Sequence, residues 1–142
     1  MNNVNVNKDE GIKLIKNAIK DLSFENPQNI NENYVTNNHN TNLSVNMNVF
    51  YKYYDNKFFS LLLRCTYDCS SKDSKNKLFN LELDYYGLFE ILTNKKYNQQ
   101  ELIKYGLKLL FPLVKNLVED LTQKGGSVPI TLNEVDFNLT KI

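Results

Sequence analysis

Three segments in the middle of the chain alternate strictly between apolar and polar residues. Such alternation gives each strand one apolar and one polar face, which is typical of an antiparallel sheet half exposed to water. A tight turn at Asp55 and Asn56 and a longer polar stretch over residues 70–76 join the three strands into a predicted meander. The apolar positions, strand by strand, are Leu43, Val45, Met47, Val49 and Tyr51; Phe59, Leu61, Leu63, Cys65 and Tyr67; and Phe79, Leu81, Leu83 and Tyr85.

The region from Gln99 to Lys124 has apolar residues spaced by three and four, which predicts an amphipathic helix. Asn98 is a suitable N-terminal cap, and the Gly pair that begins at Gly125 is a natural stop. Pro112 lies inside the pattern, so it either kinks this helix or begins a second one. Together with the meander, this predicts an α+β fold with helix packed on one face of the sheet. The apolar stripe consists of Leu107, Leu110, Phe111, Val114, Leu117, Val118 and Leu121.

The N-terminal part of the chain has an ambiguous pattern. Propensity alone favours a helix for its first half, and Pro27 ends the element by pushing the preceding residue towards extended geometry. Residues 1–10 are polar and are expected to be a frayed end, and residues 28–42 read as a long polar connection. Helical spacing is met by Ile12, Ile15, Ile19 and Leu22, and strand alternation by Ala18, Leu22 and Phe24.

The bulk properties are those of one domain of 142 residues with a modest core, since 42% of the residues are hydrophobic. The net charge of +1 provides no strong field for nucleic acid or an anionic membrane, and no basic run is interleaved with aromatic residues. The first residues lack the basic start and apolar stretch of a signal peptide, and no apolar run approaches the roughly 18 residues that span a membrane. We therefore expect a soluble cytoplasmic protein.

Two cysteines, Cys65 and Cys69, share one predicted strand and lie about 13 Å apart if that strand is extended. A disulfide requires Cα atoms closer than about 7 Å, so we expect two buried thiols. Only His39 could join them at a metal, and we expect neither a metal nor a cofactor. The sequence contains no Gly-rich phosphate loop and no nucleophile–base set, so we do not expect an enzyme.

Four separated segments resemble the SecB family of bacterial protein-export chaperones, in order along the chain. The resemblance implies a sheet of four antiparallel strands, with residues 12–25 as the first strand. That conflicts with the helical spacing from Ile12 to Ile19; we favour a strand for Ala18 to Glu25 and leave residues 11–17 open. The segments are Ile19 to Pro27, Leu62 to Thr66, Glu82 to Ile91, and Leu110 to Phe137, which includes Leu110-Phe111-Pro112 and Val128-Pro129-Ile130-Thr131-Leu132.

The resemblance also implies an ATP-independent holdase that binds unfolded preproteins and delivers them to the SecA translocation motor. The family assembles as a homotetramer, a dimer of dimers, and we expect the same here. An acidic patch on the outer sheet face of the family binds SecA; its positions in this chain are Asp21, Glu25, Asn80 and Glu82. An apolar groove binds clients at positions Tyr34, Leu43, Val45 and Met47, and subunit contacts fall on Leu81, Leu83 and Tyr85.

Alternation supports part of this assignment independently, because Glu82 lies on the polar side of its strand, opposite Leu81 and Leu83. Two departures accompany the resemblance: the family has an aliphatic residue at Asn80, and its crossover-loop tryptophan is replaced by His39. Family members usually continue past the position of Ile142, so we expect part of the groove wall to be missing.

Other interpretations stay open at this point. The carboxylates could form an ordinary solvated sheet face, and the apolar groove residues could be core beneath the helix. The chain could also be a SecB-like chaperone dedicated to the antitoxin of a toxin–antitoxin system, or an interaction module that recognises a folded partner.

Overall fold

One antiparallel sheet and one long helix make up the described part of the chain. The computed structural model describes residues 6–7, 11–26, 41–55, 57–72 and 77–125. The strands lie side by side in the order β1-β2-β5-β4-β3, and all neighbours are antiparallel. The elements are β1 (Val6–Asn7), β2 (Ile12–Glu25), β3 (Thr41–Tyr54), β4 (Phe58–Ser71), β5 (Lys77–Ile91) and α1 (Gln99–Lys124).

The predicted meander is confirmed as β3, β4 and β5. Each strand extends several residues beyond the alternating segment, and β5 continues through Gly87 to Ile91. The apolar positions of β4 and β5 all face the helix and are buried, which makes these two central strands the floor of the core. The α+β prediction is therefore correct, with four long strands and a short added β1.

The N-terminal segment forms strand β2 over its whole length, so the strand favoured for Ala18 to Glu25 is confirmed. Residues 12–17, which the sequence left open, also belong to this strand and not to the helix that propensity alone favours. Two residues, Ile15 and Lys20, have no partner on β5 and form bulges. Each bulge shifts the alternation by one residue, so the steps between helix-side positions are two, three, two, three and two. Of the four residues at helical spacing, Ile12, Ile19 and Leu22 lie on the helix side of this strand, and Ile15 is a bulged residue. The helix-side residues are Ile12, Leu14, Asn17, Ile19, Leu22 and Phe24.

Strands β2 and β3 follow each other in sequence but lie on opposite sides of the β5–β4 pair. Among the described residues, β1 pairs with β2 only at Ile12 and Lys13, and no strand pairs with the outer side of β3. The expectation of a frayed end over residues 1–10 is wrong at Val6–Asn7, which form β1.

Helix α1 begins and ends where the sequence predicts. A capping box closes its start: the Glu101 amide donates to Asn98 Oδ1 at 2.8 Å, and the Asn98 amide donates to Glu101 Oε1 at 3.2 Å. At its end, the Gly125 amide donates to the Leu121 carbonyl at 2.9 Å. The helix is continuous through Pro112, so no second helix begins there. Pro112 lies on the exposed side, where water can reach the carbonyl that the proline leaves without a partner.

Two glycines allow the helix to approach the sheet closely. A Cβ atom on Gly106 of the helix would lie 2.6 Å from a methyl of Leu61, and one on Gly87 of β5 would lie 2.9 Å from a methyl of Leu110. Both glycines are buried in the core. The absence of two side chains therefore determines how the helix is seated on the sheet.

The helix crosses the sheet diagonally. Its first half lies over β4 and β5 at Gly106, and its end reaches Phe24 of β2 at Gly125. The Asn26 side-chain amide also donates to the Gly125 carbonyl. This path leads away from the first half of β3, where Leu43 and Val45 remain exposed.

Candidate functional site

The sheet surface opposite the helix, here called the outer face, collects carboxylates from three strands. Directly opposed residues in an antiparallel pair share a face, so the register decides which side chains meet. The four predicted SecA-binding positions lie together on this face, two on β2 and two on β5. The opposed pairs are Asp21 with Asp84, Ser23 with Glu82, and Glu25 with Asn80.

Strand β4 adds Asp68 opposite Asn80, and Arg64 opposite Asp84. We define the acidic face as the five carboxylates Asp21, Glu25, Asp68, Glu82 and Asp84. A depression of about 370 Å³ lies within it, lined in part by Asp21, Arg64, Glu82 and Asp84. Sequence reasoning missed Asp68 and Asp84 as members; both lie on the polar side of their strands, but the cross-strand register was needed to join them.

One carboxylate of the acidic face is neutralised by the only arginine of the chain. Arg64 donates from Nε and Nη2 to the two carboxylate oxygens of Asp84, at 2.9 and 3.0 Å. The hydrogen bond and charge of Asp84 raise the pKa of Arg64 above its ordinary value. The guanidinium also lies 5.0 Å from the centre of the Phe50 ring, which helps to hold it in place.

Asp68 is held within the sheet by two partners. Its Oδ1 accepts a hydrogen bond from Asn80 Nδ2 at 3.0 Å and lies 3.3 Å from Lys77 Nζ. The hydrogen bond from Asn80, followed by the contact with Lys77, lowers the pKa of Asp68. The predicted site residue Asn80 therefore serves here to orient a neighbouring carboxylate.

Three carboxylates of the acidic face remain available to a partner. Asp21, Glu25 and Glu82 are exposed, and none of them forms an ion pair with another described residue. They are spread over two adjacent strands whose spacing the ladder fixes at about 4.8 Å. The backbone positions of these three carboxylates are therefore fixed relative to one another.

On the helix side, the beginning of β3 forms an apolar surface that the helix does not cover. Leu43 is 38% exposed and Val45 is 39% exposed, whereas Met47 is only 6% exposed. Of the predicted client-binding residues, Leu43 and Val45 are therefore accessible in this chain and Met47 is part of the core. Tyr34, the fourth, lies outside the described residues.

The predicted subunit-contact residues Leu81, Leu83 and Tyr85 are buried under the helix of their own chain. The Tyr85 hydroxyl donates to Asn17 Oδ1 at 2.6 Å, which links β5 to β2. These side chains pack in the core of their own chain. Sequence reasoning passed over part of a second apolar stripe on the helix, formed by half-buried leucines at intervals of four: Leu109, Leu113, Leu117 and Leu121.

The two thiols of the described residues are buried and unbridged, as predicted. Burial raises the pKa of Cys65 to about 12, so this thiol stays protonated and unreactive at neutral pH. Among the described residues, no group of three or more His, Cys, Asp or Glu side chains is arranged to hold a metal ion. None of the described helices is long and apolar enough to cross a membrane.

Comparison with known proteins identifies relatives of this chain. The sequence is 29% identical over 122 residues to the protein-export protein SecB of Orientia tsutsugamushi strain Boryong, covering 84% of this chain and 74% of that protein. It is 32% identical over 128 residues to the protein-export protein SecB of Hyphomonas neptunium, covering 89% and 74%.

The fold is similar to that of a solved SecB-like chaperone from Mycobacterium tuberculosis, in complex with a peptide from the HigA1 antitoxin. The TM-score is 0.70 at 13% identity, over 95% of this chain and 98% of the other. A family-wide sequence model described as preprotein translocase subunit SecB matches residues 5–140. The chain therefore belongs to the SecB family of protein-export chaperones.

Proposed function

We propose that the protein holds unfolded preproteins in an export-competent state, without ATP and without catalysis, and passes them to SecA. The observation that carries this proposal is the uncovered apolar strand: Leu43 and Val45 are exposed on an edge strand that has no outer neighbour among the described residues. A folded client would bury the apolar segments that such a surface binds, so the surface selects chains that are not folded.

The edge position of β3 adds a second source of affinity. Its outer backbone amides and carbonyls have no strand partner among the described residues, and an extended client can pair with them as an added strand. Burial of the two side chains contributes roughly 25 cal/mol per Å² of apolar surface removed from water. Because neither backbone pairing nor apolar contact requires a particular sequence, many different clients can bind.

The acidic face supplies the surface for SecA. Asp21, Glu25 and Glu82 are exposed carboxylates without ion-pair partners among the described residues, and they would attract a basic surface of the motor protein. Because the carboxylates are exposed, this attraction weakens as ionic strength rises. Client and SecA then bind on opposite faces of the sheet, so they do not compete for the same side chains.

We further propose that association into a homotetramer uses the leucine stripe of α1. Half-buried leucines at intervals of four form one continuous row along the helix, and a second helix can pack against such a row. The exposed apolar residues of β2, Ile19 and Leu22, extend the apolar surface on the same side of the sheet.

Suppression of aggregation tests the holdase activity. Replacing Leu43 and Val45 together by Ser is expected to weaken protection of several unrelated unfolded proteins about tenfold, since two partly exposed apolar side chains are lost. Leu92→Ser, which alters an exposed leucine outside β3, is the matched control and should leave protection unchanged. Wild-type protein that protects none of the clients would refute the proposal, and protection of a single client only would favour a dedicated chaperone.

Binding to SecA tests the second half of the proposal. Asp21→Asn, Glu25→Gln and Glu82→Gln combined should weaken binding about tenfold at low ionic strength, because exposed ion pairs contribute up to about 1 kcal/mol each. Glu90→Gln is the matched control, since Glu90 lies on the same outer face opposite Lys13 at the other end of the strands. No detectable binding of SecA to the wild type at low ionic strength would rule out the handover.

A further inference from the structure

A pocket of about 520 Å³ lies at the end of the molecule that holds the β3–β4 turn and the connection from β5 to α1. This volume is within the range of pockets that bind ligands. Among the described residues, no carboxylate lines the pocket, whereas three lysines do. We name it the lysine–tyrosine pocket after Tyr51, Tyr53, Lys57, Lys95, Lys96 and Tyr97.

Two of the three cations of the pocket are positioned by other groups. Lys57 Nζ donates to Asn94 Oδ1 at 2.9 Å, and the Lys57 carbonyl accepts from the Ile91 amide at 2.8 Å. Lys95 Nζ lies 5.5 Å from the centre of the Tyr97 ring. None of the three lysines forms an ion pair with a described carboxylate. Positive charge is thus concentrated at one place, and the contacts of Lys57 and Lys95 reduce the side-chain freedom that these two residues lose when an anion binds.

The inner surface of the pocket is apolar. Ile91 and Leu102 are buried core residues that also line it, and the Tyr51 ring packs against Phe59 at 6.1 Å between centroids. Lysines around an apolar floor suit a ligand that carries carboxylates beside an apolar side chain. An isolated small anion would leave this floor unused.

A polypeptide fits the pocket better than a nucleic acid does. Stacking of bases needs free aromatic faces, but Tyr51 packs against Phe59, and Tyr97 packs edge-on against Tyr105 at 5.8 Å. Tyr53, which is 53% exposed, is the ring of the pocket that offers the most open face. A single open ring provides little base stacking.

The pocket is aligned with the uncovered strand. Tyr53 and Val45 lie on the same side of β3, eight residues apart, which corresponds to about 26 Å along an extended strand. We infer that the lysine–tyrosine pocket binds an acidic stretch of a client polypeptide, and that an apolar segment about eight residues away in the same client packs against Leu43 and Val45. This inference rests on the proposed holdase function and specifies which clients bind best.

Labelled peptides test the inference by fluorescence anisotropy. One peptide carries an apolar segment, a neutral spacer of about eight residues and a run of glutamates; a second has glutamines in place of the glutamates. The acidic peptide should bind about tenfold more tightly, as expected of three exposed ion pairs. Combining Lys95→Gln with Lys96→Gln leaves only Lys57 and should reduce this difference to about twofold, while Lys72→Gln, just beyond the opposite end of β4, should preserve it.

Several results would overturn the inference. Equal binding of the two peptides by the wild type is one, and an unchanged preference in the Lys95→Gln, Lys96→Gln variant is another. A single-stranded oligonucleotide without sequence bias and the unlabelled acidic peptide can each compete with the labelled acidic peptide. If the oligonucleotide displaces it at the lower concentration, the pocket binds nucleic acid.

The inference and the proposed function fail in different ways. If the glutamine peptide binds but glutamates add nothing, the holdase function stands and the pocket assignment is wrong. If the apolar segment does not contribute while a run of glutamates alone still binds through Lys95 and Lys96, the pocket takes acidic peptides but the uncovered strand is not a client site. Circular dichroism of each variant establishes that the fold is retained.

Discussion

Strands β4 and β2 have the same length, 14 residues, and both are amphipathic, yet the burial of their apolar side chains differs. Every helix-side residue of β4 is buried from Phe59 to Cys69. In β2 only Ile12 and Leu14 are buried, whereas Ile19 is 46% exposed and Leu22 is 38% exposed. Strand β4 is covered by α1 and has a long strand on each side. Strand β2 is covered only near its two ends.

The difference shows that alternation predicts the side on which an apolar residue lies but not whether anything covers that side. A central strand has its register dictated by two neighbours, so it carries no bulge between Phe58 and Cys69. Strand β2 has one long partner and carries two bulges. Exposed apolar residues of this kind mark a surface where another chain can bind.

Single-residue deletions should show the largest difference in effect between β4 and β2. Deleting Thr66 from β4 reverses the facing of every later residue of that strand, so we expect no folded protein. Deleting Lys20 from β2 removes a bulged residue and leaves the facing of all its neighbours unchanged, at a cost of about 1 kcal/mol. Expression followed by urea unfolding measures both effects. A folded Thr66 deletion, or an unfolded Lys20 deletion, would contradict the comparison.

Truncation of apolar side chains should give the next largest contrast. Phe89→Ala removes a fully buried ring that stacks on Phe59 at 4.9 Å between centroids, and should lower the free energy of unfolding by about 3–5 kcal/mol. Leu22→Ala, at the exposed edge, should cost about 1 kcal/mol in dilute protein. Unfolding curves recorded at two protein concentrations also report on assembly, since Leu22→Ala should cost more where subunits associate through β2.

The cross-strand contact at Asp68 should appear as a smaller, pH-dependent effect. The folded-state pKa of Asp68 is lowered by Asn80 and Lys77, so its contribution to stability is present above about pH 4, the unfolded value. That contribution is lost as the pH falls from about 4 through the folded pKa. Asp68→Asn should therefore flatten the decline in stability below about pH 4. Asn80→Ala should shift the Asp68 titration, followed by NMR, towards its ordinary value; an unshifted titration would contradict the assignment.

The smallest effect is expected at the turn that joins the edge strand β3 to the central strand β4. Lys57 has a φ of 69°, a left-handed conformation that costs a residue with a side chain about 1–2 kcal/mol. Lys57→Gly should raise the free energy of unfolding by up to about 1 kcal/mol, because glycine loses more entropy on folding and offsets part of the relief. The same variant should weaken acidic-peptide binding. Reduced stability would show that the Lys57–Asn94 bond outweighs the backbone cost.

Much of the fold was readable from the sequence, and the exceptions have physical causes. Strands β3 to β5 and both ends of the helix were predicted because alternation, an N-cap residue and a glycine stop are local signals. The first half of β2 was left open because its bulges break the period of two by which a strand is recognised. Arg64, Asp68 and Asp84 were not placed at the candidate site, because cross-strand register depends on pairing that no single strand encodes. The lysine–tyrosine pocket was missed because its walls are distant in sequence.

The sequence by itself determined strands β3 to β5, the bounds of the helix and which side of each central strand is apolar, because these follow from side-chain spacing and from local capping. Only the tertiary structure decided which apolar residues stay exposed. The path of α1 is set by its close approach at Gly87 and Gly106 and by the contact of its end with Phe24, and this diagonal leaves Leu43 and Val45 uncovered. Coverage is a property of how two elements cross, so a pattern within either element cannot report it.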